Sequence, residues 1–386
     1  MKLDYFIGEN IKKDYFRSEL IGGLAQTGAG ANSVGGKLTV YIPPKLGFCH
    51  GVVHAIRMAM YTAEKYPGHK IYLLNEMIHN PFVNQELQKL GISYLDGAYR
   101  KENIELKGIT ADDIVIVPAF GSSTKIYDEL TRIGCTVVDT TCGEVLSVWK
   151  RVQRYNAIDF TTLIFGKYAH EETLATASRS KRYLIMKDLA ETKIVADYIR
   201  SSLSAQSLLD YFENAVSPGF NPETDLQRVG MASQTTMYAR EFIQASENIR
   251  KALTSRYTEA EIEEHFLEID TICSATQERQ DAIHFLLPHI DLMIIAGGYN
   301  SSNTLSLARI ASEQVLTYHI DGDGKIAPEG IQYQPVGNKE EIKKKDWLPQ
   351  KDHLKIGITS GASTPDSVLE KIMHEILALD GGIEMK

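Results

Sequence analysis

Cysteine is scarce in this chain: 386 residues contain only Cys49, Cys135, Cys142 and Cys273. That excludes a disulfide-stapled scaffold and leaves buried core, metal ligation or redox chemistry as their roles. Long apolar runs are missing too, and nothing approaches the roughly 18 residues a membrane span needs. Positive charge is in deficit, with 41 Lys+Arg against 50 Asp+Glu and a net charge of -9. Bulk nucleic-acid binding, which needs cationic surface, is thereby excluded, although a local anion site can still oppose the global sign. The first twenty residues carry Asp4, Glu9, Asp14 and Glu19 and no apolar core, unlike a secretory or transit peptide. The expected location is cytoplasmic. No GxGxxG dinucleotide fingerprint is apparent.

What is present suits a packed protein of two or three domains: 43% of residues are hydrophobic and 24% charged. From Leu38 onward, short apolar runs alternate with helical patterns. The strand-like runs are LTVYIP (38–43), IYLL (71–74), DIVIVP (113–118), CTVVD (135–139), TLIF (162–165), RVGMAS (228–233), FLEI (266–269), LMIIAG (292–297), VLTYHI (315–320) and KIGITS (355–360). This alternation predicts an α/β fold with mostly parallel sheets. Helical period is clear after Cys142, where Val145, Val148, Trp149 and Val152 fall on one face. The Gly-rich segment Gly22–Gly36 reads as a flexible linker.

Cys49, Cys142 and Cys273 share a context, each following a strand and preceding a helix. His79 stands 30 residues after Cys49, His170 28 after Cys142, and Ser301 28 after Cys273, each at the end of a further strand. Third strands end in hydroxyl-rich segments: FGSST (120–124), SQTT (233–236) and SGAST (360–364). The expected organisation is three related α/β units, 38–140, 141–268 and 269–376, around a pseudo-threefold axis. Residues 1–37 form an N-terminal extension and 377–386 a tail, and the middle unit is enlarged near 196–226.

Ligands of parallel α/β sheets bind beyond the carboxyl ends of the strands, so such packing predicts that the three cysteines converge although 93 and 131 residues separate them. Helix starts add partial positive charge that favours thiolates and phosphate oxygens. Thr141-x-x-Glu144 and Ser274-x-x-Gln277 fit capping boxes, while Asn80-Pro81 and Thr364-Pro365 fit N-cap and first helical residue. Three thiolates without a CxxC pair suit an iron–sulfur cluster with one open iron better than a closed zinc site. Cys135, which opens a strand, reads as core, and His50 and His54 as packing or solvated side chains. His79 and His170 are candidate ligands. Glu172 is a candidate proton donor beside its rival Glu171. Ser301, Ser302, Asn303, Thr235, Thr236 and Ser363 make a dense set of neutral donors for phosphate oxygens. An electron carrier with a non-catalytic cluster and a zinc phosphohydrolase are the rival readings.

In order along the chain, LGFCHGV, IHNPFVN, VDTTC, GKYAHEET, SQTT, DTICSATQERQ, GGYNSSNT and TSGASTPD resemble the 4-hydroxy-3-methylbut-2-enyl diphosphate reductase family, closest to its plant and cyanobacterial type. The resemblance runs from about residue 38 to 376. It implies a [4Fe–4S] cluster on Cys49, Cys142 and Cys273, with the fourth iron open for the substrate hydroxyl. It implies diphosphate binding by His79, His170, Ser301, Ser302, Asn303 and Ser363. Thr235 would position the hydroxyl end and Glu172 supply protons, giving isopentenyl and dimethylallyl diphosphate. A ferredoxin- or flavodoxin-like protein is the implied electron donor. The chain departs from many members at Phe120, where they have histidine, leaving His79 and Ser122 or Ser123 as first-unit contacts. It departs again at Gly143, where proline is usual and glycine would loosen the ligand loop.

Overall fold

The computed structural model describes residues 16–101, 105–268 and 271–384. The expectation for residues 1–15 lies outside them. The chain divides into two compact units, one formed by Met1–Pro67, Ile78–Ile92 and Ala275–Lys386 and the other by Gly68–Met77 and Ser93–Ser274.

The first unit is built on a five-stranded sheet in the order Ala31–Asn32, Leu38–Tyr41, Leu354–Ser360, Leu292–Ala296, Leu316–Ile320. Its long pairs are parallel, with Leu354 opposite Leu38 and Leu292 opposite Ile356. All five residues of Leu292–Ala296 are buried, as a parallel strand covered on both faces requires. Leu38, Val40, Ile294 and Ile356 form one core with Val368, Leu369, Ile372 and Ile376 of the helix Asp366–Ala378. Truncating one such residue to alanine costs about 2–5 kcal/mol. A small antiparallel meander, Ile326–Ala327, Gly330–Tyr333 and Ile342–Lys344, is appended.

The second unit holds two four-stranded sheets. One runs Ile92–Tyr94, Ile71–Leu73, Ile114–Val117, Thr136–Asp139; the other runs Phe266–Glu268, Val229–Ser233, Thr161–Phe165, Tyr183–Met186. The registers are parallel, pairing Ile71 with Ile114, Ile114 with Thr136 and Thr161 with Val229. Val148 and Val152 of the helix Gly143–Ala157 pack on Ala232, and the Tyr155 hydroxyl donates to the Met231 carbonyl at 2.9 Å. Among the described residues no helix is long and apolar enough to cross a membrane.

All ten predicted strands are present, and the mixed α/β class with mostly parallel sheets holds. Two expectations differ. Leu38–Tyr41, expected to open the first unit, pairs instead with Leu354–Ser360, because sequence alternation does not reveal which sheet a crossover enters. The predicted linker Gly22–Gly36 overlaps the helix Glu19–Thr27, capped by Ser18, and contains the strand Ala31–Asn32. Ser18 is the capping residue, and Ile21 buries its side chain against the core. Extension and tail also meet: Ser33 bridges Ile383, and the Asp380 carboxylate accepts from the Ser33 hydroxyl at 2.6 Å.

Candidate active site

In the first unit Cys49 is the N-cap of the helix His50–Lys65, and its Sγ accepts from the Val52 amide at 3.5 Å. The Cys49 amide donates to the Ala362 carbonyl at 3.4 Å. The Ala362 amide in turn donates to Asn303 Oδ1 at 3.2 Å, while Asn303 Nδ2 donates to Thr276 Oγ1 at 2.9 Å. Ser301 caps the helix Ser302–Ser312. The Ser363 hydroxyl lies 3.4 Å from that of Ser301 and 3.5 Å from the His79 carbonyl. His79 is buried, with Nδ1 3.1 Å from Asn300 Nδ2. One hydrogen-bonded set therefore joins His79, Ser301 and Ser363, and a second joins Cys49 to Asn303. Ser302 Oγ is buried and has no hydrogen-bond partner among the described residues.

In the second unit the Cys142 amide donates to the Ala119 carbonyl at 3.0 Å, and the Cys273 amide to the Thr235 carbonyl at 3.1 Å. Thr235 then binds both oxygens of Glu172, through its amide at 2.6 Å and its hydroxyl at 3.1 Å. The Glu172 amide donates to His170 Nδ1 at 3.2 Å. A continuous chain thus links Cys273, Thr235, Glu172 and His170. Because His170 accepts at Nδ1, the neutral ring carries its proton on Nε2, which leaves Nε2 as a donor. Phe120, beside Ala119, meets the His170 ring edge-on at 5.3 Å and 79°.

Glu172 is 2% exposed. Burial pushes its carboxyl up to about 7, against the two hydrogen bonds from Thr235 that favour the anion. A carboxyl poised there can both hold and release a proton near neutral pH. Its rival Glu171 instead accepts from Asn75 Nδ2 at 3.0 Å. Glu171 lines a cavity of about 600 Å³ with Asn75, Arg100, Ser122 and Ser123. The lining of that cavity includes none of His170, Glu172 or Thr235.

None of the four cysteines is joined in a disulfide. The capping expectations shift by one residue at three helices. Cys142, not Thr141, is the N-cap of Gly143–Ala157, and Thr141 bonds Asp139 instead. The third helix begins at Ser274, placing Cys273 immediately before it. Asp366–Ala378 is capped by Pro365 rather than Thr364, whose hydroxyl bonds the Ala296 carbonyl. Asn80 caps Pro81–Lys89 as expected. Each of the three cysteines thus directly precedes a helix, where the dipole favours thiolate. Cys135 differs: it is half-buried against the core around Leu130, and burial raises its thiol. His50 is exposed, and His54 is half-buried.

Three residues escaped the sequence reading. Arg279 is buried and donates to the carbonyls of Leu46 (3.2 Å) and Gly47 (2.6 Å), just ahead of Cys49. Gln234 Oε1 accepts from the Lys167 amide and the Thr173 hydroxyl, while its Nε2 donates to Thr236. Lys167 itself, three residues before His170, has its ammonium pKa lowered by burial and forms no ion pair among the described residues. The DTICSATQERQ, SQTT and GKYAH motifs contain these side chains, but burial is not visible in composition.

The architecture defines an α/β protein whose strand ends carry thiols, buried hydroxyls and a near-neutral carboxyl. Residues 40–377 match the family model described as LytB protein, and the chain belongs to that family. It is 42% identical over 90% of its length to the 4-hydroxy-3-methylbut-2-enyl diphosphate reductase of Gloeobacter violaceus, covering 84% of that protein. It is 40% identical over 94% of its length to the enzyme of the same name from Synechococcus sp. (strain WH7803), covering 90% of it. A solved structure of (E)-4-hydroxy-3-methyl-but-2-enyl diphosphate reductase, the terminal enzyme of the non-mevalonate pathway, is similar with a TM-score of 0.52 and 25% identity. The likeness covers 89% of this chain and 99% of that one. The Plasmodium falciparum reductase shares the fold, with a TM-score of 0.63 and 22% identity over 88% of this chain and 87% of that one.

Proposed function

We propose that this chain reduces 4-hydroxy-3-methylbut-2-enyl diphosphate, the compound for which its relatives are named, to isopentenyl and dimethylallyl diphosphate. The reaction takes two electrons and two protons. The allylic C–O bond breaks, the hydroxyl oxygen leaves as water with one proton, and the second proton goes to carbon. The observation that carries the reading is the Glu172–Thr235 pair: a fully buried carboxyl, raised to about 7, gripped by a residue whose carbonyl accepts the Cys273 amide.

The donor set fits a [4Fe–4S] cluster. Cys49, Cys142 and Cys273 are thiols outside any disulfide, each directly before a helix, and Cys135 lacks that setting. When bound, such a cluster supplies electrons and a Lewis-acidic iron with an open position. His79 and His170, with Ser301, Ser302, Asn303 and Ser363, are the proposed diphosphate ligands. His170 donates from Nε2, and the unpaired Ser302 hydroxyl supplies a further donor. Thr235 orients the substrate's hydroxyl end and holds Glu172, whose carboxyl delivers a proton to the departing oxygen. Electrons come from a separate ferredoxin- or flavodoxin-like protein in the cytoplasm.

The test is anaerobic purification with iron and sulfide analysis, followed by EPR of the reduced protein with and without the hydroxylated diphosphate. Near-stoichiometric cluster and a substrate-dependent spectrum are expected. A zinc-loaded colourless protein, or a spectrum indifferent to substrate, would overturn the proposal.

A further inference from the structure

The turn Gly297–Ser301 carries strand Leu292–Ala296 into the helix Ser302–Ser312, and it is held on several sides within the first unit. Below it, His319 Nε2 lies 2.8 Å from the Gly297 carbonyl. Burial lowers the His319 pKa to about 4, so the ring is neutral and donates from Nε2. Beside it, Gly298 passes so close to the His79 backbone that a Cβ would stand 2.4 Å from the carbonyl oxygen. Only glycine allows that approach.

The remaining hold comes from the appended meander. Tyr299 stacks edge-on against His319 at 4.9 Å and 77°. Its hydroxyl donates to Glu341 Oε1. Glu341 also accepts from Lys325 Nζ and from Gln332 Nε2, and Lys325 pairs with Asp321 at 3.1 Å. Burial, together with the bond to Glu341, lifts the Tyr299 phenol far above its ordinary range, so it remains a donor. Partial burial opposes ionisation of Glu341, yet the bonds from Lys325, Tyr299 and Gln332 hold its carboxyl below the usual range. The meander is tied to the sheet through Gln334, whose amide donates to the His319 carbonyl at 2.9 Å.

Three donors converging on one carboxylate exceed an ordinary surface ion pair, which contributes little. Tyr299 is followed directly by Asn300, which contacts His79, and by Ser301, which contacts Ser363. We infer that Tyr299 and Glu341 are positioning residues for diphosphate recognition: Glu341, anchored by Lys325 and Gln332, latches Tyr299 and fixes where Asn300 and Ser301 present their donors. The inference rests on the reading that Ser301 and its neighbours bind diphosphate. Preorganised donors bind an anion without paying for loop ordering at the moment of binding, so releasing the latch weakens binding and leaves the chemistry alone.

The experiment compares Tyr299→Phe, Glu341→Gln and Ser301→Ala in the cluster-loaded enzyme. It measures KM, kcat, inhibition by inorganic diphosphate, iron content and melting temperature. Both latch variants are expected to raise KM and the diphosphate inhibition constant about fivefold to tenfold, the scale of one ordinary hydrogen bond's net contribution. Iron content stays at the parent level and kcat stays within about twofold. If Ser301→Ala weakens diphosphate binding while both latch variants leave KM and inhibition unchanged, the latch is wrong, whatever happens to their melting temperatures. A fall in kcat at unchanged KM overturns it equally. If Ser301→Ala itself leaves diphosphate binding intact, the assignment of the loop fails instead.

Discussion

Thr235 meets both oxygens of the Glu172 carboxyl, one with its amide and one with its hydroxyl, while its own carbonyl receives the Cys273 amide. The proposed proton donor and one proposed cluster ligand are therefore adjacent through a single residue. Glu172→Gln preserves the shape of the pair and removes the transferable proton. Turnover should fall by about 10²-fold or more, with iron content and substrate binding retained. A variant turning over near the parental rate removes Glu172 from the mechanism.

The same carboxyl gives a pH prediction with a definite sign. Its folded pKa, about 7, lies above the ordinary value of 4.5. The stability tied to its protonated form is fully present below about 4.5 and is lost as pH rises through about 7. Glu172→Gln, which is always neutral, should gain melting temperature relative to the parent between pH 5 and pH 8. A difference that does not vary with pH over that range counts against the raised pKa.

The cysteines separate by position. Cys273 directly precedes a helix and is linked to Thr235, whereas Cys135 packs against the core near Leu130. Cys273→Ser should lose most of its iron and Cys135→Ser should keep a full complement. Equal iron loss in the two variants undoes the choice of ligands.

What the sequence made legible follows physical range. Parallel strands buried on both faces leave continuous apolar runs, so Leu292–Ala296 and Ile114–Val117 were readable. Helical period exposed the buried face Val145, Val148, Trp149 and Val152. Partners distant in sequence were not readable: Leu38–Tyr41 pairs more than 300 residues away, with Leu354–Ser360. Local rules also failed by one residue where tertiary bonds competed, as when the Thr364 hydroxyl turned to the Ala296 carbonyl and ceded the cap to Pro365. The choice between Glu171 and Glu172 needed burial and a partner, and adjacent identical residues carry no such signal.

Lys167 illustrates the same limit and yields a further test. Its amide is held by Gln234 at 3.1 Å, burial lowers its ammonium pKa, and no carboxylate pairs with it among the described residues. A partly desolvated cation three residues before His170 is costly unless an anion joins it. On the proposed function that anion is the substrate diphosphate. Lys167→Met should raise KM about tenfold or more and flatten the dependence of KM on salt. Unchanged KM with an unchanged salt profile makes Lys167 a bystander.

Gly143 opens the helix behind Cys142, and nothing lies within 4 Å of where its Cβ would be. The preceding residue has ψ 139°, the extended value a following proline demands. The first helical N–H has no intrahelical partner to lose. Gly143→Pro should therefore fit, restrict the unfolded chain and stabilise the protein by about 0.4–1 kcal/mol, with iron content unchanged. Because the same turn presents Cys142, a loss of iron or a lower melting temperature in this variant shows that the glycine is needed there, and that the loop at Cys142 must move for its thiol to serve as a ligand.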